Sequence, residues 1–176
     1  GGGAPISENH FSAFAQEEAR INRLQFVGAA RLDRHPLIQA APLFSPRGAL
    51  IYALRDQTSI RVGSGSSFRT PSLLESYLSL PLYNETDGVY YTSNGDTTLS
   101  PERIITTEVG IRDESSRFHT ADATLYINNV SDLIALTDLA PEVAFYDPEL
   151  NGYSVGTSYF SNQLSTYRGY GLEVDG

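Results

Sequence analysis

The residues with most chemical potential are three histidines, a serine between glycines, and a knot of tyrosines, acids and amides within residues 69–102. His10, His35 and His119 stand far apart, and none has the i,i+4 partner of a helical metalloprotease site. Ser64 lies between Gly63 and Gly65 without the G-x-S-x-G elbow of a nucleophilic serine, and its setting reads as a strand. The same stretch lacks the third glycine and following helix of a dinucleotide loop. Glycines alternating along a strand read instead as relief of crowding. Asn84, Asp87, Asn94 and Asp96 supply the hard oxygens that calcium wants, but without EF-hand spacing they read as a solvated loop. Asn84-Glu85-Thr86 and Asn129-Val130-Ser131 match a glycosylation sequon, a pattern short enough to arise by chance. No catalytic constellation emerges, so neither an enzyme nor a cofactor is expected.

The tyrosines point to binding. Segment 69–102 is too long for an inert connection and carries Tyr77, Tyr83, Tyr90 and Tyr91 among polar residues. Tyrosine gives flat, amphipathic contact area at low entropic cost. Tyr83, Tyr90 and Tyr91 are therefore candidate ligand contacts. The alternative is that these rings pack on one another or mark a membrane interface.

Composition narrows the classes. The chain has 176 residues, a net charge of −9, and neither Cys, Met nor Trp. Every basic residue is Arg. Without cysteine there is no disulfide scaffold, thiolate metal site or cysteine nucleophile. A net-negative chain without a basic run is a poor nucleic-acid partner. No apolar stretch has the length of a spanning helix, which leaves a spanning β-barrel open. The opening Gly-Gly-Gly-Ala-Pro suggests an excised piece of something longer, with residues 1–9 a linker or the end of a preceding loop.

The elements that must position these residues have period two. Seven strands are expected, at 10–20, 22–33, 44–54, 58–68, 104–112, 118–129 and 167–174. In 104–112, Ile105, Thr107, Val109 and Ile111 oppose Thr106, Glu108, Gly110 and Arg112. Residues 71–80 are the best helical candidate. Soluble strands average about five or six residues, whereas a tilted membrane strand needs about 9–11. Short turns (21–23, 55–57, 113–117) alternate with long loops (35–42, 69–102, 138–156), as in outer-membrane barrels. Glu17 and Arg168 break the facing rule. Glu17 is expected close to a turn and Arg168 near the outer rim, where such charges cost only about 0–1 kcal/mol.

Several motifs then appear in order. Ser45-Pro46-Arg47 opens a strand; Phe68-Arg69-Thr70-Pro71-Ser72 follows, with Leu73-Leu74-Glu75 after it. Next come Leu99-Ser100-Pro101-Glu102, Thr107-Glu108-Val109-Gly110, Leu125 to Asn129 with Asp132 to Ile134, and Asn162 with Gly171-Leu172-Glu173. This succession resembles the TonB-dependent outer-membrane receptors. Thr70 replaces their usual Ala, and Asp96-Thr97-Thr98 replaces their usual N-P. Pro71 disfavours helix at Thr70 and ends the strand, leaving Arg69 at the rim. There its guanidinium can bridge loop carbonyls or a carboxylate, a role ranked ahead of ligand contact, although Arg69 stays among the candidate ligand residues.

The resemblance implies an all-β, antiparallel up-and-down transmembrane barrel. Residues 10–176 would form about seven strands of it, with the remaining strands and the plug lying elsewhere in a longer parent. It further implies a bacterial outer-membrane receptor importing a siderophore, cobalamin, haem or glycan, with the TonB complex, plug and outer-membrane lipid as partners. Arg31, Arg47, Arg61, Glu108, Arg112 and Asp122 would line the lumen. The rival reading is a soluble β-sandwich that binds glycans with the same tyrosines.

Overall fold

The computed structural model describes residues 10–34, 42–116 and 119–176, so the expected linker 1–9, most of loop 35–42, and Arg117 with Phe118 lie outside the described residues. All seven expected strands form: β1 (Phe11–Ile21), β2 (Leu24–Arg34), β3 (Leu43–Arg55) and β4 (Thr58–Arg69), then β7 (Glu102–Asp113), β8 (Ala121–Ser131) and β12 (Tyr167–Asp175). They make one antiparallel sheet in the order β1-β2-β3-β4-β7-β8-β12, each strand beside its predecessor apart from the inserted loops.

Register explains why these sequences suit such a sheet. Ala19, Phe26, Leu50, Val62, Val109, Leu125 and Leu172 fall in a single cross-strand row. The next row toward the short turns is Ile21, Leu24, Tyr52, Ile60, Ile111, Ala123 and Val174. Most of these apolar side chains remain exposed, Leu125 by 62% and Leu172 by 61%, while Leu24, Ile60 and Ala123 are half-buried. An apolar stripe seven strands wide far exceeds the patches that soluble monomers leave in water.

The short connections are tight where the chain permits it. Asn22, at φ 54°, takes the left-handed corner of the β1–β2 hairpin, a conformation asparagine tolerates. At the β3–β4 hairpin the pairing shifts between Ala53 and Arg55, so Leu54 is a bulge. The Leu54 carbonyl accepts from Arg23 Nη1 at 3.2 Å, which gives the disrupted ladder a partner. The third connection spans residues 114–120, longer than expected, and starts with an Asx turn in which Ser115 N donates to Asp113 Oδ1 at 2.7 Å.

The long loops are more ordered than their composition suggested. The expected helix at 71–80 shortens to α1 (Leu73–Tyr77). It is followed by β5 (Ser79–Asn84) and β6 (Val89–Asn94); later come β9 (Ile134–Leu136), β10 (Ala140–Asp147) and β11 (Gly152–Asn162). These five form a second sheet, ordered β10-β11-β6-β5 with β9 on β11. Its key joint is β6 against β11, a parallel pairing between the two long loops. Among the described residues no strand of this sheet packs broadly on the seven-stranded one. A β-sandwich requires such face-to-face stacking, so the soluble-sandwich reading is not supported. The best-buried apolar residues, Leu99 and Ile134, lie at the root of the loop sheet.

Candidate ligand-binding site

The root of the loop sheet is built around Arg69. Pro71 follows the end of β4, and Ser72 caps α1: its Oγ accepts from Glu75 N at 3.2 Å while Glu75 Oε2 accepts from Ser72 N at 2.7 Å. This reciprocal capping box aims the Glu75 carboxylate back at β4. Arg69 holds it through Nη1 at 3.1 Å and Nη2 at 3.0 Å. On its other side Arg69 donates from Nε and Nη2 to Glu102, both at 2.6 Å. Glu102 is only 4% exposed, and its Oε1 also accepts from Ile134 N at 2.8 Å. The paired carboxylates therefore tie β4, α1, β7 and β9 together, and Arg69 takes the bridging role expected of it. Burial pushes the Glu75 carboxyl upward, but bonds from Arg69 and Ser72 outweigh it and hold the group below the usual carboxylate range.

Asn162 makes a second tie. Its Nδ2 donates to Ser100 O at 2.9 Å and Asp132 O at 2.7 Å, and its Oδ1 accepts from Ser100 N at 2.8 Å. A third joint is Gly95, whose position opposite α1 has no room for a side chain: a Cβ would meet Ser76 C at 2.6 Å and Tyr77 N at 2.7 Å.

Above this root stand the tyrosines. Tyr83 and Tyr90 face each other across the β5–β6 hairpin, with ring centroids 5.0 Å apart. Gly152 of β11 leaves space for the Tyr90 ring, since a Cβ there would lie 2.6 Å from Tyr90 Cε2. Tyr91 follows Tyr90 on a strand and so projects to the opposite face. Its hydroxyl donates to Asp87 Oδ2 at 3.3 Å. Of the candidate trio, the fold joins two and separates the third. Tyr146 and Tyr153 form another ring pair 5.6 Å apart, on strands that read as loop in the sequence.

The acids and amides of this loop do not converge. Asn84 and Asp87 sit at the hairpin tip, bonded to each other at 2.7 Å. Asn94 ends β6, and Asp96 Oδ1 accepts from Thr98 N at 2.7 Å and Thr98 Oγ1 at 2.6 Å. The Thr98 hydroxyl and amide hold the Asp96 carboxyl below its ordinary value. Among the described residues no group of three His, Asp or Glu is placed to hold a metal.

The opposite face of the seven-stranded sheet is polar. Register puts Arg31, Arg47, Arg61, Glu108, Arg112 and Asp122 all on it. Arg61 of β4 reaches across β7 to Thr124 Oγ1 at 2.8 Å and Asp122 Oδ1 at 3.7 Å. Its Nε lies 3.2 Å from Glu108 Oε1, a charge contact without hydrogen-bond alignment. Gly110 makes this crossing possible, because a Cβ there would be 2.9 Å from Thr124 Oγ1 and 3.4 Å from Arg61 Nε. Arg47 donates to Gln16 Oε1 at 3.1 Å and lies 5.7 Å over the Phe14 ring. The two exceptions to the facing rule diverge. Arg168 is the second residue of β12, at the loop-bearing end as expected, and donates to Asn129 Oδ1 at 2.9 Å. Glu17 is not beside a turn; it pairs with Gly28 in mid-strand, because the β1–β2 register runs unbroken from Phe11 to Ile21.

Seven long antiparallel strands with one apolar and one polar face define a segment of a transmembrane β-barrel wall. The family "TonB dependent receptor-like, beta-barrel" matches residues 3–176, and the chain belongs to it. Solved structures agree on the fold. The ferric enterobactin receptor PfeA of Pseudomonas aeruginosa, in complex with enterobactin, superposes with a TM-score of 0.76 at 21% identity, over 94% of this chain and 24% of that one. The siderophore receptor PirA of Acinetobacter baumannii gives 0.70 at 16% identity, over 94% and 25%. The Serratia marcescens hemophore receptor HasR, in complex with its hemophore HasA and heme, gives 0.70 at 18% identity, over 94% and 31%. Among curated sequences none matches. The chain spans about a quarter to a third of the length of these receptors. All three similar structures are receptors.

Proposed function

We propose that residues 10–176 form part of the wall and external loops of a bacterial outer-membrane receptor that captures a scarce nutrient for TonB-driven import. Within that receptor the polar face, with Arg47, Arg61, Glu108 and Asp122, lines the lumen against the plug, and the apolar face meets lipid. The loop sheet takes part in capture. Tyr83 and Tyr90 present a paired aromatic surface to the ligand and Tyr91 contacts it from the other face. Arg69 contributes by holding that surface in place, its donors being committed to Glu75 and Glu102. The nutrient class is a metal chelate, a ferric siderophore or haem, ahead of cobalamin or a glycan. The observation that carries this reading is a rooted, tyrosine-bearing loop sheet on a barrel wall of this family.

Titration of the full receptor in detergent with ferric catecholate, ferric hydroxamate, haem, cobalamin and oligosaccharides tests it. One chelate should bind saturably, and the Tyr83→Ala/Tyr90→Ala double variant should weaken it about tenfold. Binding of an oligosaccharide alone, or a chelate affinity indifferent to both tyrosines, would sink the assignment.

A further inference from the structure

The apolar face is graded along the strands. On β4, β7, β8 and β12 an end row of Thr58, Asp113 and Ala121 borders the short turns, and the two rows beyond it are apolar throughout. The next row toward the loops brings Tyr170 beside Ile127, the one after it places Arg168 opposite Asn129, and the last places Arg103 opposite Ser131. Ile105 and Phe68 persist in the two arginine rows, but past the apolar rows polar and cationic residues enter toward the loops, as at the passage from hydrocarbon to headgroup.

Both arginines are exposed and hold only neutral partners. Arg103 Nε donates to Ser66 Oγ at 3.3 Å and Arg168 Nε to Asn129 Oδ1 at 2.9 Å. Among the described residues neither makes an ion pair. On this face of the four strands the sole acid is Asp113, at the opposite end of β7. Two cations therefore flank β8 with their terminal nitrogens free. The strands carrying them are about 10 Å apart, close enough for both to reach one headgroup. The neutral hydrogen bonds through Nε orient each guanidinium without neutralising it.

We propose that Arg103 and Arg168 form a clamp for the phosphate groups of an anionic lipid headgroup at the loop-bearing rim of the barrel. Planar guanidiniums suit phosphate oxygens through paired N–H donors. The clamp rests on the reading of this sheet as a membrane-embedded wall. It gives the wall a specific lipid contact in addition to general apolar solvation.

The test uses the full receptor in phosphatidylcholine nanodiscs doped with diphosphoryl lipid A, with retained lipid A counted by native mass spectrometry. Arg103→Gln or Arg168→Gln should each weaken retention about fivefold and the double variant about thirtyfold, on the scale of one basic residue at an anionic surface. The Lys variants should keep most of it. Dephosphorylated lipid A should be retained no better by the native receptor than by the double variant, and inorganic phosphate should not displace the phosphorylated form. Equal retention in the double variant, or displacement by inorganic phosphate, would overturn the clamp. Failure of the membrane reading would look different: the receptor would stay dispersed without detergent or lipid.

Discussion

Arg69 closes β4, Glu102 opens β7, and two hydrogen bonds of 2.6 Å join them across the strand pair from which the 69–102 loop leaves. The carboxylate is buried while the guanidinium is partly exposed. Removing either partner leaves the other's charge poorly matched, at a cost of about 1.5–3 kcal/mol. Arg69→Ala should therefore lower amide protection at Ile134, whose N–H is held by Glu102 Oε1, while the middle of β7 stays protected. Hydrogen exchange on the full receptor reads both sites; unchanged protection at Ile134 would refute the bridge.

Glu75 gives the loop root a pH dependence whose sign follows from its depressed pKa. A carboxyl held below its unfolded value of about 4.3 contributes all its stability above that pH. The contribution is lost as pH falls through the lower folded value. Opening of α1, measured by exchange at Leu78 N, should be flat from neutral pH down to the ordinary carboxylate range and rise below it. Glu75→Gln should remove the Glu75 share of that acid-side change and leave the share of Glu102, the other carboxylate bonded to Arg69.

Asn162 separates donor from acceptor in the second tie. Asn162→Asp keeps an oxygen for Ser100 N but loses both donations, to Ser100 O and Asp132 O. Each lost bond is worth about 1 kcal/mol. Asn162→Asp sets a carboxylate oxygen against two carbonyls and should cost at least as much as Asn162→Ala in local opening of segments 99–101 and 131–134. Equal protection in all three proteins would mean that the tie carries no load.

Gly110 and Val109 are neighbours on β7 that test its two faces separately. Gly110→Val would force a side chain between Arg61 and Thr124. It should disrupt the polar crossing at a cost of about 1–3 kcal/mol. Val109→Arg puts a charge on the apolar face near mid-strand, where lipid exposure costs about 2–4 kcal/mol. Denaturant unfolding of the receptor in liposomes gives both values, and a neutral Val109→Arg would place that face in water.

The wall was legible because one pattern repeats along it. Ile105, Thr107, Val109 and Ile111 alternate with polar neighbours, and one misplaced residue would flip the whole strand. The loop sheet was hidden. Residues 79–84 contain Pro81, which argues against a paired strand, yet β5 lies at a sheet edge where proline is tolerated. β6 is held by a parallel partner more than 60 residues away, and such a pairing leaves no local trace. The opposite projection of Tyr90 and Tyr91 needed only their adjacency, once the segment is known to be a strand. The capping box was visible in Ser72 and Glu75. The role of Glu102 as receiver of Arg69 needed the register between β4 and β7.

The proposed function requires these strands to cross a membrane with one face in lipid and the other in a polar lumen. This chain has no cysteine, so single cysteines placed along β7 and β8 can be spin-labelled in the reconstituted receptor once any cysteine elsewhere in the receptor has been replaced. Labels at Val109, Ile111, Leu125 and Ile127 should be accessible to oxygen and shielded from a polar nickel chelate, while labels at Glu108, Tyr126 and Asn128 show the reverse. A period-two swing between the two probes is the predicted result; uniform access to the polar chelate on both faces would contradict the account.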